Sequence, residues 1–370
     1  MSESAAPPKF TLLYAILTPV IILPVLVILI LFIRGDRSAQ LYNRGLELTT
    51  EKRYNEAAQA FREAGSHGHG ESYYCLAKLY ESGALTSNDA AKAVWENLQR
   101  AALNGSIQAE YELGRLAENA PEPDYANAAL HYRRAALDGH SQAQLAMGKF
   151  YENGLGVNQS NALAVEFYRY AAEQNMFDAN AALAALHLSG TLGKVDYAAA
   201  RKYLLPAVKA NHPRSCTIMG YVYENSQPEN EENRQLAAAY YRRAYNLGDA
   251  EGGVNYGDWL LKNSRVEDAL TVFTKTFEQH QFAPAAHRLG VYYCNSKSID
   301  YPKARKYFEI AAARGYAASW INLGIMAEQG QGGDVDLARA RECYSMAEKL
   351  NHPQAAEYLK KFRSVPYASR

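Results

Sequence analysis

A large apolar residue followed by glycine returns along this chain at nearly constant intervals, and this recurrence constrains the fold more than any other feature. Leu113-Gly114, Met147-Gly148, Met219-Gly220, Tyr256-Gly257, Leu289-Gly290 and Leu323-Gly324 carry it, and Leu76-Ala77 and Leu183-Ala184 hold the slot with alanine. From residue 114 onward the steps are 34, 36, 36, 37, 33 and 34 residues. A period near 35 marks a solenoid, in which each repeat buries its apolar face against its neighbours. It lets a chain of 370 residues fold without the two or three separate cores that such a length otherwise implies.

A second set keeps the same beat. Ala101-Ala102, Ala135-Ala136, Ala171-Ala172 and Ala311-Ala312 end a second helix. A closing slot follows at Gly105, Gly139, Asn175, Asn211, Gly248, Gly315 and Asn351, with His280 in one deviant repeat. Glycine and asparagine tolerate the left-handed conformation that ends a helix. Pro213, Pro284 and Pro353 fall where the next helix begins, where a missing N–H costs nothing. Each repeat therefore reads as helix A, turn, helix B, turn. In MGKFYENGLGV, Gly148 makes room for a neighbouring helix, Gly154 and Gly156 end helix A, and Val157 packs back. The aromatic three residues beyond the slot (Tyr80, Tyr151, Tyr223, Tyr293) fills space between helices. Helix B offers Trp95, Tyr132, Phe167, Tyr203, Tyr241, Phe273, Tyr307 and Tyr344 for the same purpose.

These residues resemble the Sel-1-like repeat, a relative of the tetratricopeptide repeat. Ala143, Met147, Gly148, Tyr151, Gly154, Gly156, Val157, Ala164, Phe167, Ala171 and Ala172 follow its pattern nearly in full. Leu323, Gly324, Gly330, Gly332, Ala338, Tyr344 and Ala347 repeat it. Residues 118–130 and 224–239 replace the glycine turn with polar, proline-bearing loops. The first repeat and residues 251–282 are closer to plain tetratricopeptide repeats. The resemblance implies an all-α fold, a right-handed superhelical α-solenoid of about nine helix-turn-helix units over residues 41–350. Residues 351–370 form a capping segment that begins as one more helix A.

One segment stands apart. Residues 10–33 hold 24 residues without a charge, long enough to cross a bilayer, which needs about 20. They are read as one transmembrane helix, an uncleaved anchor between a polar tail (1–9) and a linker (34–40). Lys9 precedes the span, whereas Arg34, Arg37 and Arg44 follow it. The bias puts the solenoid on the cytoplasmic side of a bacterial inner membrane by a small margin, and leaves the periplasmic side open.

Candidates for chemistry are few. Lysine plus arginine and aspartate plus glutamate number 39 each, so no nucleic-acid partner is expected. There is no phosphate loop, nucleophile elbow, zinc-protease helix or EF-hand. His67 and His69 make at most half a metal site. His140, His212 and His352 follow the closing slot and read as structural, their place near a helix C-terminus suiting positive charge. Cys75, Cys216, Cys294 and Cys343 form no CxxC pair and read as core residues. Arg133-Arg134 and Arg242-Arg243 read as a solvated helix face, and Glu229, Glu231 and Glu232 as an acidic loop. No catalytic, cofactor or metal residue is named, no cofactor is expected, and the binding residues stay unassigned.

The resemblance implies a membrane-anchored protein–protein interaction scaffold, not an enzyme, whose solenoid groove assembles a membrane-associated complex. Its partners would be proteins, with the bilayer held through residues 10–33. An envelope polysaccharide-binding protein is the alternative, requiring exposed aromatics along a groove. A hydrolase of the cysteine-rich Sel-1-like kind is the last reading, and it requires cysteines paired within the repeats.

Overall fold

The computed structural model describes residues 37–226, 230–295 and 298–362, and among them every regular element is a helix. The chain divides into two compact bodies at residues 176 and 177. The first holds α1 (37–50), α2 (Tyr54–Ser66), α3 (Gly70–Glu81), α4 (Ala90–Leu103), α5 (Ile107–Glu118), α6 (Tyr125–Leu137), α7 (Ser141–Asn153) and α8 (Asn161–Glu173). The second holds α9 (Phe177–Leu188), α10 (Tyr197–Lys209), α11 (Pro213–Asn225), α12 (Glu231–Asn246), α13 (Ala250–Lys262) and α14 (Val266–His280). It continues with α15 (Ala283–Asn295), α16 (Tyr301–Ala313), α17 (Ala317–Gln329), α18 (Leu337–Lys349) and the short α19 (Ala355–Lys360). Odd-numbered helices are the A helices and even-numbered ones the B helices. Each A helix packs on its own B helix, and within each body each B helix packs on the next A helix.

The expected single-pass membrane localisation is corrected. Among the described residues no helix is long and apolar enough to cross a membrane. The longest helix lying wholly within the described residues, α12, has 16 residues, about 24 Å at 1.5 Å per residue, against a hydrocarbon core of about 30 Å. The span at 10–33, on which the localisation rested, lies outside the described residues.

Local chemistry sets the helix ends. Asp89, Asp124, Asp196, Asp300, Asp336, Ser160 and Asn230 each stand before a B helix and accept a backbone N–H three residues on. Such a cap satisfies a donor that the helix itself leaves unpaired. Two B helices, α2 and α14, start instead at Arg53 and Arg265 with no side-chain cap. In those two repeats the turn between helices passes through left-handed Lys52 and Ser264, where four others use glycine (Gly83, Gly154, Gly190 and Gly330). They are the repeats whose sequence lies nearest the plain tetratricopeptide pattern. The slot closing helix B is left-handed at Gly105, Gly139, Asn175, Asn211, Gly248, Gly315 and Asn351, as read from the sequence, and Gly68 closes α2 in the same way. In the deviant repeat the residue is Gln281, with φ 49°, and not His280, which ends α14 one position earlier.

The glycine of helix A meets an aromatic ring of helix B. A Cβ on Gly148 would lie 2.4 Å from the Tyr168 ring. The same close approach joins Gly45 to Phe61, Gly114 to Tyr132, Gly220 to Tyr241, Gly257 to Phe273, Gly290 to Phe308 and Gly324 to Tyr344. Where the slot is alanine, the facing residue shrinks: Ala77 packs with Leu98 and Ala184 with Leu204. In three repeats the residues expected to fill helix B were one position early, and Trp95 is 46% exposed while Leu98 takes the core position. Phe167, Tyr203 and Tyr307 instead stack on Tyr151, His187 and Tyr293, with centroids 5.6, 5.4 and 5.8 Å apart. Tyr223 and Tyr240 make the same pair at 5.5 Å.

A glutamate decides between tyrosine and phenylalanine at the ring. Tyr132, Tyr168, Tyr241 and Tyr344 donate to Glu118, Glu152, Glu224 and Glu328 at 2.5, 2.5, 2.8 and 2.7 Å. Each glutamate lies four residues beyond its glycine. Where that position is Thr49, Leu261 or Cys294, the ring is Phe61, Phe273 or Phe308. A buried phenol needs an acceptor, and a phenyl ring needs none. Burial first, and then the carboxylate acceptor, push the pKa values of Tyr132, Tyr241 and Tyr344 well above the ordinary phenol value.

Gly148→Ala is expected to destabilise the protein by about 1–3 kcal/mol through overpacking, more than the roughly 1 kcal/mol that alanine's helix propensity returns. Adding Tyr168→Leu recreates the Ala184–Leu204 pairing. Urea unfolding should show the double variant more stable than the two single losses combined, by at least about 1 kcal/mol; simple additivity would contradict the size matching.

Candidate functional site

In the second body the A helices α9, α11 and α13 touch their successors α11, α13 and α15, whereas the B helices make no comparable contact with one another. The A helices therefore share one continuous face there. On α13 a helical spacing of three and four residues puts Asn255, Asp258 and Lys262 on that face. Glu224 of α11 and Arg288 of α15 flank them, and together with Leu261 they line a recess of about 480 Å³.

The walls are held by ion pairs that cross from helix to helix. Arg288 donates from Nε and Nη2 to the two carboxylate oxygens of Asp258, both at 2.7 Å. A bidentate pair of this kind fixes orientation as well as distance. Lys262 donates from Nζ to Glu224 Oε1 at 2.8 Å, while Glu224 Oε2 accepts from the core phenol of Tyr241. Burial raises the Glu224 pKa, but the hydrogen bonds from Lys262 and Tyr241 outweigh it and hold the carboxyl below its usual value. Asn255 lines the same recess and makes no side-chain hydrogen bond among the described residues. Tyr221 on α11 is 45% exposed beside these groups' helices, and Leu261 is 37% exposed. The arrangement offers a rigid polar frame, one uncommitted amide and two apolar contacts. It holds no nucleophile paired with a base.

Behind Arg288, His287 is buried, with Nδ1 2.9 Å from Ser319 Oγ and its ring 4.8 Å from that of Tyr316. Burial, with the positive charges of Arg288 and His352 adding to it, pushes its pKa down to about 4. No repeat position marked this histidine in the sequence.

Of the histidines that the sequence marks, His69, His140 and His212 stand at helix starts, and His67 closes α2. His140 accepts the Ala143 N–H at Nδ1, which leaves Nε2 as the protonated nitrogen facing Gln108 Oε1 at 2.9 Å. Burial lowers its pKa, so the expected role for positive charge is replaced by that of a neutral cap. His69 stacks on Tyr42 at 4.3 Å and meets Ser72, and His212 meets Ser215. His67 and His69 are brought to no further ligand: among the described residues no group of three histidine, cysteine or acidic side chains is placed to hold a metal. The four cysteines are free, and burial pushes the Cys75 and Cys343 thiols up to about 11, which disfavours the reactive thiolate.

Of the arginine pairs, Arg133, Arg134 and Arg242 are exposed, as a solvated helix face requires, and Arg243 is half-buried. Arg134 reaches Glu110, and Arg243 caps the preceding B helix through Val208 O and Asn211. Arg133 donates to the Tyr151 hydroxyl, while Arg242 borders a second recess. Glu231 and Glu232 sit in the first turn of α12, where negative charge suits the helix end, and Glu229 lies outside the described residues.

Residues 107–140, 141–176, 177–212, 213–249, 283–316 and 321–352 each match the Sel1 repeat. This chain belongs to the Sel1 repeat family. The unmatched residues 250–282 are α13 and α14, the repeat with the arginine start and without the glycine turn. Among curated proteins, the chain is 28% identical over 223 residues to chitin synthase regulatory factor 3 of Schizosaccharomyces pombe. That match covers 56% of this chain but only 24% of the yeast protein. Among solved structures, a protective antigen of uropathogenic Escherichia coli with an SLR fold superposes with a TM-score of 0.69 at 20% identity, covering 90% of this chain and 80% of that one. A Sel1 repeat protein from Oxalobacter formigenes gives 0.59 at 23% identity, covering 82% and 89%. These likenesses establish the all-helical solenoid of helix-turn-helix repeats. Sel1 repeat solenoids, like other stacked-helix arrays, bind protein partners.

The neutral, buried His287 makes stability depend on pH. Its folded pKa, about 4, lies below the ordinary value near 6.5, so the unfolded chain binds more protons between them. Its contribution is complete above about pH 6.5 and is lost as pH falls toward 4, by on the order of 2–3 kcal/mol. Chemical denaturation at pH 7 and pH 4.5 should show a smaller loss for His287→Asn than for the parent. His69 and His140 shift the same way and remain as a common background.

Proposed function

We propose that this protein is a binding scaffold that holds a segment of a partner protein along the A-helix face of α11, α13 and α15. The observation that carries the reading is the recess around Asn255. Its charged side chains are already locked in ion pairs, so little rotamer freedom is lost when a ligand arrives. Because each cation is matched by a carboxylate, the recess favours a partner backbone or neutral polar side chain over a strongly charged group. The free amide of Asn255 supplies both a donor and an acceptor for a peptide unit. Exposed Tyr221 and Leu261 add the apolar contact that such interfaces concentrate in few residues.

The Schizosaccharomyces pombe relative is named as a regulatory factor, in keeping with action through binding. A polysaccharide partner has less support. The aromatic rings at the repeat positions are stacked face to face within the repeats, and Trp95, Tyr170 and Tyr221 are exposed on three different helices.

A photocrosslinking amino acid at position 221 should capture a discrete partner. The same group at exposed Glu166, on the B helix α8, should not. Asp258→Ala and Asn255→Ala should each reduce capture by at least several-fold. Equal capture from both positions, or capture indifferent to both substitutions, would sink this assignment.

A further inference from the structure

The repeat pattern is broken at one place in a way that opens a second recess. The residue before the helix A slot is buried Leu76, Leu113, Met147, Leu183, Met219, Leu289 or Leu323 in other repeats. In α13 it is Tyr256, which is only half-buried. Three residues on, where Leu79, Phe150, Leu186, Val222 and Met326 are buried, α13 carries half-buried Trp259. The two rings lie 6.3 Å apart and nearly parallel, at 13°. Across from them α12 lines the recess with Gln235, the small Ala238 and Ala239, and Arg242, and the space is about 200 Å³. Its rim carries two guanidinium groups, Arg242 and Arg265. Arg242 has no acidic partner among the described residues. Arg265 gives its Nε to Asp268 at 2.8 Å, with the side chain about half-exposed. No carboxylate lines the recess among the described residues.

We infer that this recess takes an acidic peptide segment, an aspartate or glutamate next to an aromatic residue, supplied by a protein partner. The carboxylate is matched to the two guanidiniums, since arginine presents a planar fork of donors to paired oxygens. The neighbouring ring lies on Trp259 and Tyr256, and the alanines of α12 leave it room. Tryptophan, tyrosine and arginine are the residues in which interface energy concentrates. This surface shares α13 with the recess at Asn255 but is completed by α12 and Arg265 instead of α11 and α15, and it differs in charge: that one is balanced by internal ion pairs, whereas here Arg242 has no acidic partner among the described residues. The 200 Å³ volume admits a side chain or two and excludes a folded domain.

The test is a random heptapeptide display library selected on the full chain. The parent is expected to enrich peptides with an acidic residue beside an aromatic one. Arg242→Glu and Arg265→Glu, both at exposed positions, should abolish that enrichment and weaken a selected peptide by roughly tenfold or more, as loss of a charge-assisted hydrogen bond implies. Asn255→Ala, which lines only the first recess, should leave it unchanged, so that failure of one site is distinguishable from failure of the other. A parent pool without acidic enrichment, or an enrichment that survives both arginine substitutions, overturns the inference.

Discussion

The structure depends on one contact repeated along the chain: a ring of helix B laid on the bare backbone of helix A. Glycine is a poor helix residue, and placing it mid-helix costs about 1 kcal/mol against alanine. The cost is offset because the facing ring lies where a Cβ would sit, burying a large apolar face that alanine would hold away. Size is conserved across the pair rather than at either position. Glycine faces tyrosine or phenylalanine, and alanine faces leucine. The phenol then sets a further requirement, met by a glutamate one turn beyond the glycine.

That coupling explains what was legible in the sequence. The period, the helix pairs and the left-handed closing residues follow from backbone rules that act locally, and apart from His280 they are found in the structure. The identity of the filling ring was not local. In repeats with two adjacent aromatics, such as Phe167-Tyr168, both are apolar and both are large. Only the rotation of helix B against helix A decides which meets the glycine and which stacks on Tyr151. The misplaced His280 has the same origin. Gln281 is left-handed because the chain there closes one residue later, and glutamine has little intrinsic preference for doing so.

The candidate sites were less legible still. Asn255, Asp258 and Arg288 belong to different repeats or to unremarkable positions, and their meaning appears only when A helices are set side by side. A signal did exist in retrospect. Residues 250–282 depart from the repeat pattern at the glycine turn, at the start of helix B, and at Tyr256 and Trp259. Positions that break a pattern without weakening the fold are where a solenoid has freedom to carry something other than its own packing. The long uncharged stretch at 10–33 shows the opposite hazard, since a strong local signal there was extended to the whole molecule.

Because ring, glycine and glutamate all belong to the same helix pair, the packing rule is closed within each repeat. A repeat gained or lost as a whole leaves no orphan ring and no bare glycine in its neighbours. Arrays built this way can change length by duplication while single substitutions at the slot are resisted. The lineage of such a chain should therefore show paired changes inside repeats and free variation in how many repeats there are.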